Sequence, residues 1–198
     1  MFIQMVSAPC TKQDDMRALV DNWCAEMSDR AGWLGGTYGF TDDDRFVGVV
    51  RFEDSRDCEL WCQEPEAGAW WAAAEELCSG APEIHQSGDV SIMLGGGSDT
   101  AGFVQVMHGK VGNADVLRHM TDTEMTSMLE QARPEIIGAT LIFEDDGTFT
   151  ETVAFTDEES ARRGEATAMP DEMAAEWSSA ATDVEYLDLH HPWFASHR

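Results

Sequence analysis

The stretch "GTYGFTDDDRFVGVVRF", residues 36–52, is restated about a hundred residues later as "ATLIFEDDGTFTETVAF", residues 139–155. Setting Arg30 over Arg133 and moving in step, identities fall at Gly35 with Gly138, Thr37 with Thr140, Phe40 with Phe143, and Asp42 and Asp43 with Asp145 and Asp146. They continue at Phe46 with Phe149, Val50 with Val153, Phe52 with Phe155, and Asp54 with Asp157. Ordinary composition yields roughly one match in fifteen by chance, so this density means duplication. Upstream, "FIQMV" from Phe2 faces "FVQVM" from Phe103; downstream, Pro65 aligns with Pro170, each opening an acidic, Ala/Trp-rich run. The copies cover 2–94 and 103–194. Between them, "GGGSDTAG" reads as a flexible linker. The expected division is a first repeat over 1–95, a Gly/Ser-rich linker over 96–102, and a second repeat over 103–198.

Each copy has legible periodicities. "FIQMVS" reads as a strand. The helix that follows carries Met16, Leu19, Val20, Trp23 and Met27 on one face, with Thr11 and Asp14 offering a capping box. "WLGGTYGF" and "RFVGVVRF" form a hairpin across "TDDD". A helical region over 54–78 is interrupted by Pro65, which suits the first turn of a new helix, and "GDVSIML" is a fourth strand. The order β-α-β-β-α-β is the ferredoxin-like unit. The second copy repeats it, with "NADVLRHMTDTEMTSMLEQA" as one helix whose apolar face, Leu117, Met120, Met125, Met128 and Leu129, is interrupted by Thr121 and Glu124, and with its second helical region over 157–182. A four-stranded sheet with both helices on one side leaves its other face bare, and a second identical unit covers it. The expected fold is α+β: two tandem ferredoxin-like repeats packed sheet to sheet as an intrachain pseudo-dimeric α+β barrel, with a small cavity between the sheets.

Net charge is −26, with Lys12 and Lys110 the only lysines, so no basic stripe exists to neutralise phosphates and nucleic acid is excluded as a partner. The same field repels anionic membrane surfaces. It fits a salt-adapted proteome as well as a Lys-poor, high-GC one. No stretch reaches the roughly 20 apolar residues of a membrane span, and the N-terminus lacks the features of a signal peptide; the expectation is a cytoplasmic protein, either a monomeric pseudo-dimer or a homodimer of pseudo-dimers. Cys10, Cys24, Cys58, Cys62 and Cys78 show no zinc-site spacing. They read as buried thiols, although Cys58 and Cys62 stand one helical turn apart. No metal is expected.

The segment "FEDSRDCELWCQEPEAGAWWAAAEEL", residues 52–77, coming after that strand–hairpin pattern, resembles the antibiotic biosynthesis monooxygenase-like proteins of the dimeric α+β barrel superfamily. The resemblance covers both halves and implies a pseudo-dimer within one chain. It implies a family of cofactor-independent quinone or polyketide oxygenases and haem-degrading oxygenases, with members of no known activity. The haem degraders' marks, an Asn on the first strand and a His in the second helical region, are absent from "FIQMVS", "FVQVMH" and both helical regions. The resemblance thus implies a cofactor-independent monooxygenase for a hydrophobic, aromatic or quinol-like small molecule. The alternative is a non-catalytic small-ligand binding or stress-related module of the same fold.

Strand alternation separates two faces. Phe46, Val50 and Phe52, like Phe149, Val153 and Phe155, are expected beneath helices. The opposite face then carries Arg45, Val47, Val49 and Arg51, against Thr148, Thr150, Thr152 and Ala154. Arg51 is a ligand contact there, or lies at the rim in solvent. Gln4 and Gln105, at equivalent first-strand positions, are ligand contacts or hydrogen-bond partners between strands. Tyr38 and Trp71 complete the candidate ligand set; Trp61, Trp70 and Trp177 wall a pocket or pack the core. His108, at the end of a strand, is a candidate general base or is merely exposed, and the same holds for His85, in the loop before the last strand of the first copy. His190 and His191, adjacent in sequence, point to opposite sides and make poor joint metal ligands.

Overall fold

The computed structural model describes residues 1–167 and 171–197. Pro170, expected to open a helix, lies outside them. The chain divides into two units, one of residues 1–88 with the tail from Pro192 onward, the other of residues 89–191.

In unit 1, β1 (Phe2–Pro9), α1 (Gln13–Met27), β2 (Trp33–Phe40), β3 (Arg45–Phe52), α2 (Ser55–Cys62), α3 (Pro65–Leu77) and β4 (Glu83–Ser87) follow the expected order. The first is joined by β3 and β4 on its two sides, and β2 pairs with β3, all antiparallel. After β5 (Val90–Met93), unit 2 repeats the order as β6 (Phe103–Val111), α4 (Ala114–His119), α5 (Thr123–Ala132), β7 (Ile136–Phe143), β8 (Thr148–Phe155), α6 (Glu158–Glu165), α7 (Asp171–Ala180) and β9 (Ala181–Leu189). The chain ends in β10 (Trp193–Ser196). Sheet orders are β10-β2-β3-β1-β4 and β5-β7-β8-β6-β9, so each repeat forms the ferredoxin-like four-stranded core and gains a fifth strand at its β2-type edge. Among the described residues no helix is long and apolar enough to cross a membrane.

The fifth strands correct the expected boundaries at 95 and 103. The fourth strand of the first repeat is not "GDVSIML" but the segment just before it, where β4 pairs with β1; "GDVSIML" holds β5, which belongs to unit 2 and pairs with β7. The tail expected in the second repeat instead pairs with β2 as β10. An exposed sheet edge is a row of unpaired N–H and C=O groups, and each added strand satisfies one. Nor is "GGGSDTAG" a free linker, since Gly102 N donates to Phe155 O at 3.0 Å and Ala101 is buried.

Several repeated residues now have physical causes. Gly35 and Gly138 sit at matching β-bulges, and a Cβ at either would strike backbone, that of Ala195 in β10 or that of Gly96. Asp54 and Asp157 are both N-caps, accepting from Asp57 N at 3.1 Å and Ser160 N at 2.8 Å. Pro65 opens α3 at its first turn, as expected. The Thr11 capping box does not form, because α1 starts at Gln13 with Lys12 as N-cap and no side-chain cap. In the second copy the first helix is divided at Thr121 and Asp122, the latter capping α5 by accepting from Met125 N at 2.9 Å.

Alternation placed the helix-covered faces correctly. Phe46, Val50 and Phe52 join Met16, Val20, Trp23 and Met27 of α1 in one core; Phe149, Val153 and Phe155 join Leu117 and Ala161 in the other.

Candidate functional site

A cavity of about 30 Å³ lies inside unit 1 between the sheet and its helices. Its floor is Gln4 and Val6 of β1, Tyr38 of β2, and Phe46, Gly48, Val50 and Phe52 of β3; its roof is Val20 and Trp23 of α1, Trp61 of α2, and Trp70 and Trp71 of α3. A second hollow of about 10 Å³ shares the wall formed by Val6, Phe46, Trp70 and Trp71. The larger space holds a guest of about the size of one water. A larger guest needs Trp70 and Trp71 to swing. Both are part-exposed, on a helix whose only fully buried side chains are Ala67 and Ala74.

The site owes its shape to aromatic packing over glycine. Trp23 is the hub, with ring centroids 6.1 Å from Trp33, 6.5 Å from Tyr38, 6.0 Å from Trp61 and 5.9 Å from Trp70. The Tyr38 ring lies along the sheet above Gly36 and beside Gly48, its partner on β3. Trp193, delivered by β10, closes the other side at 5.8 Å from Tyr38, with the Arg17 guanidinium 4.7 Å above its own ring. A Cβ at Gly36 would land on the Tyr38 hydroxyl and ring. Gly36→Ala is therefore expected to expel the Tyr38 ring, cost about 1–3 kcal/mol, and change the near-ultraviolet circular dichroism of the cluster; an unchanged spectrum and stability would refute this packing.

Three hydrogen-bonding groups on the cavity wall, Trp23 Nε1, Trp70 Nε1 and the Tyr38 hydroxyl, are buried without a partner. Each unsatisfied group costs about 1–3 kcal/mol, a cost that an acceptor oxygen placed in the cavity would relieve; among the described residues Trp33 Nε1 and Trp193 Nε1, outside the cavity wall, are unpartnered as well. The Cys24 thiol beside Tyr38 gives it no well-formed hydrogen bond. Burial pushes Cys24 up to about 11 although Tyr38 works against the shift, and burial followed by the Cys24 charge holds Tyr38 well above its usual value. Both groups stay neutral at physiological pH. The cavity donates hydrogen bonds but offers no base.

Cys10, Cys24 and Cys58 are buried thiols, as expected, whereas Cys62 is exposed and Cys78 half-buried. All five are unpaired, and burial followed by the neighbouring Cys62 raises Cys58 to about 12.

In unit 2, Gln105 occupies the strand position of Gln4, but its amide donates to Asp188 at 2.8 Å and Glu165 at 3.4 Å. Arg162 binds Asp188, Glu165 and Glu158 and lies 4.9 Å over the Phe103 ring. Where unit 1 has Gly48, unit 2 has Glu151, on the central strand and on the helix-covered face with Phe149 and Val153. Its cross-strand neighbours are Leu141 and Met107. Among the described residues it has no hydrogen-bond or ion-pair partner, and burial alone raises its pKa from 4.5 to about 7. It retains part exposure.

No family model and no curated protein matches the sequence. Solved structures match along nearly its whole length. A protein from Lactobacillus acidophilus named as a candidate monooxygenase is 13% identical, with a TM-score of 0.72 over 98% of this chain and 95% of its own. A protein from Fusobacterium nucleatum with the same kind of name is 10% identical, with a TM-score of 0.73 over 98% and 94%. A third, an anthrone oxidase-like protein, is 12% identical, with a TM-score of 0.71 over 98% and 92%. The chain shares their fold.

Within that fold, Gln4 and Tyr38 on the floor and Trp71 on the roof line one cavity, and the Gln4 amide donates to Gln86 at 2.7 Å. Arg51 does not join them. Gln4 pairs with Val50 across the strands, so Arg51, the next residue, points from the opposite face and donates to Thr37 at 3.3 Å. His108 likewise lies on the face of its sheet away from the helices, 3.1 Å from the Thr150 hydroxyl and 3.7 Å from the Glu144 carboxylate. His85, opposite Met5 in β1, shares Met5's side of the unit 1 sheet. His190 meets Glu158 at 2.7 Å. Trp61 and Trp70 line the unit 1 cavity, and Trp177 packs 6.4 Å from Phe149. The sequence reading overlooked Glu151, yet "TFTETVAF" showed it: one acid on the face that otherwise carries two phenylalanines and a valine.

Proposed function

We propose that this chain is a cofactor-independent monooxygenase of the antibiotic biosynthesis monooxygenase type, acting on an uncharged, flat aromatic compound that carries carbonyl or phenol oxygens. The observation that carries the reading is the set of three unpartnered buried donors in an aromatic-walled cavity. Such a wall stacks against an aromatic guest and offers Trp23 Nε1, Trp70 Nε1 and the Tyr38 hydroxyl to its oxygens. In cofactor-free oxygenation the substrate itself loses a proton and gives electrons to dioxygen. For an anthrone-like methylene the balance is CH₂ + O₂ → C=O + H₂O. Fixed donors at the oxygen where negative charge gathers lower that barrier. The Gln4 amide, anchored by Gln86, helps orient the guest from the strand side.

The test is oxygen uptake by the purified chain with a panel of anthrones and hydroquinones. Consumption proportional to protein, unaffected by chelators, is the expected result. Quenching of tryptophan fluorescence without consumption supports instead the ligand-binding module. One observation favours that second reading: Tyr38 on the wall of the unit 1 cavity does not titrate near neutrality, and neither does Cys24 beside it.

A further inference from the structure

A base is what the unit 1 cavity lacks and what the other repeat holds. Glu151 stands at the centre of β8, the middle strand of five, with Phe149 and Val153 along its own strand and Leu141 and Met107 across from it. No hydrogen bond or ion pair holds it among the described residues. The duplicated scaffold does not need a side chain there, since the matching residue in unit 1 is Gly48. A carboxylate is the costliest way to fill such a position, because charge taken out of water without a partner is strongly disfavoured.

We infer that Glu151 is the proton acceptor of a second site, in unit 2, which deprotonates an apolar aromatic carbon acid such as an anthrone. The inference rests on the proposed oxygenase only for this substrate class. In the step, the Glu151 carboxylate takes the proton from the benzylic C–H; that bond's electrons stay on the substrate as its enolate, and the carboxyl becomes neutral. Return of the proton reverses the step, so no oxidant is consumed. Burial favours the neutral acid, and its titration at about 7 keeps the base form available at working pH. Tyr186 of β9 is raised by burial and then by the charges of Glu151 and Glu165, and Glu165 of α6 is itself held by Arg162 at 3.0 Å. None supplies a positive charge to Glu151.

The experiment is anaerobic exchange of the C10 hydrogens of 1,8-dihydroxyanthrone in D₂O, followed by proton NMR with the full chain. Exchange faster than buffer is expected, rising with pH and levelling above about 7. Glu151→Gln is expected to slow the protein-dependent part by about 100-fold or more, and Glu151→Asp to retain part of it. Exchange in Glu151→Gln at the wild-type rate overturns the inference, as does wild-type exchange no faster than buffer. Should either variant misfold by circular dichroism, the other and the wild-type pH profile decide. The two readings fail separately. Oxygen uptake with exchange independent of Glu151 sinks the inference alone, whereas Glu151-dependent exchange without oxygen uptake sinks the oxygenase alone.

Discussion

Trp23→Ala is expected to lower the stability of unit 1 by about 3–5 kcal/mol, the range for emptying a large buried aromatic site. The ring meets Trp33 and Tyr38 edge-on, at interplanar angles of 82° and 89°, and lies within about 6 Å of Trp61 and Trp70 as well. No single neighbour fills the space it leaves, because the other rings project from separate elements, α2, α3 and β2. Trp23→Phe separates packing from hydrogen bonding. Its indole N–H has no partner to lose, so this change is expected to cost less than half as much in stability. If the N–H serves a guest, Trp23→Phe instead weakens binding of an anthrone by about tenfold, the worth of one hydrogen bond. Urea unfolding followed by circular dichroism reads the first effect and fluorescence titration the second. A loss below about 1 kcal/mol for Trp23→Ala would mean that the cluster is not the core of this unit.

The duplication made the architecture legible. Once Phe46, Val50 and Phe52 were set over Phe149, Val153 and Phe155, period-two alternation assigned the helix-covered face of both sheets. The strand order followed from β-α-β-β-α-β alone. What alternation does not show is where space remains. That depends on Gly36 and Gly48 lying beneath Tyr38, and a glycine in a strand reads equally as a bulge or a close approach. Hence the sequence grouped Gln4 with Arg51, which the register puts on opposite faces. The fifth strands were hidden for another reason. "GDVSIML" reads as a strand, but nothing in it shows that β5 pairs with the distant β7 rather than with β1; β10 has four residues, too few for a periodic signal, and its partner is as distant, Trp193 lying opposite Tyr38. Glu151 was legible in principle. Repeat comparison rewards identities, and the informative position was the mismatch, glycine against glutamate on a face where every matched neighbour is apolar.

That mismatch carries a thermodynamic signature of its own, with a sign that can be worked out. The folded-state pKa of Glu151, about 7, lies above its ordinary value of 4.5. Below pH 4.5 both folded and unfolded chains hold the proton, and the residue's contribution is fully present. Between 4.5 and 7 the unfolded chain releases it while the folded chain keeps it, so stability falls as pH rises. Above 7 both are ionised and the loss is complete, at about 3 kcal/mol by linkage. Glu151→Gln does not titrate, so it is expected to gain on the wild type as pH rises, the gap widening by about 2 kcal/mol from pH 5.5 to 8.5 and flattening above 7.5. Comparing variant with wild type cancels the background of the other acidic groups, which would otherwise dominate at a net charge of −26. Paired urea unfolding curves across that range give the answer. A constant gap would put Glu151 in water, and a gap that narrows with pH would mean a cation pairs with it. A widening gap shows a carboxyl held at a standing cost to the fold, as expected of a group kept for chemistry at the expense of stability.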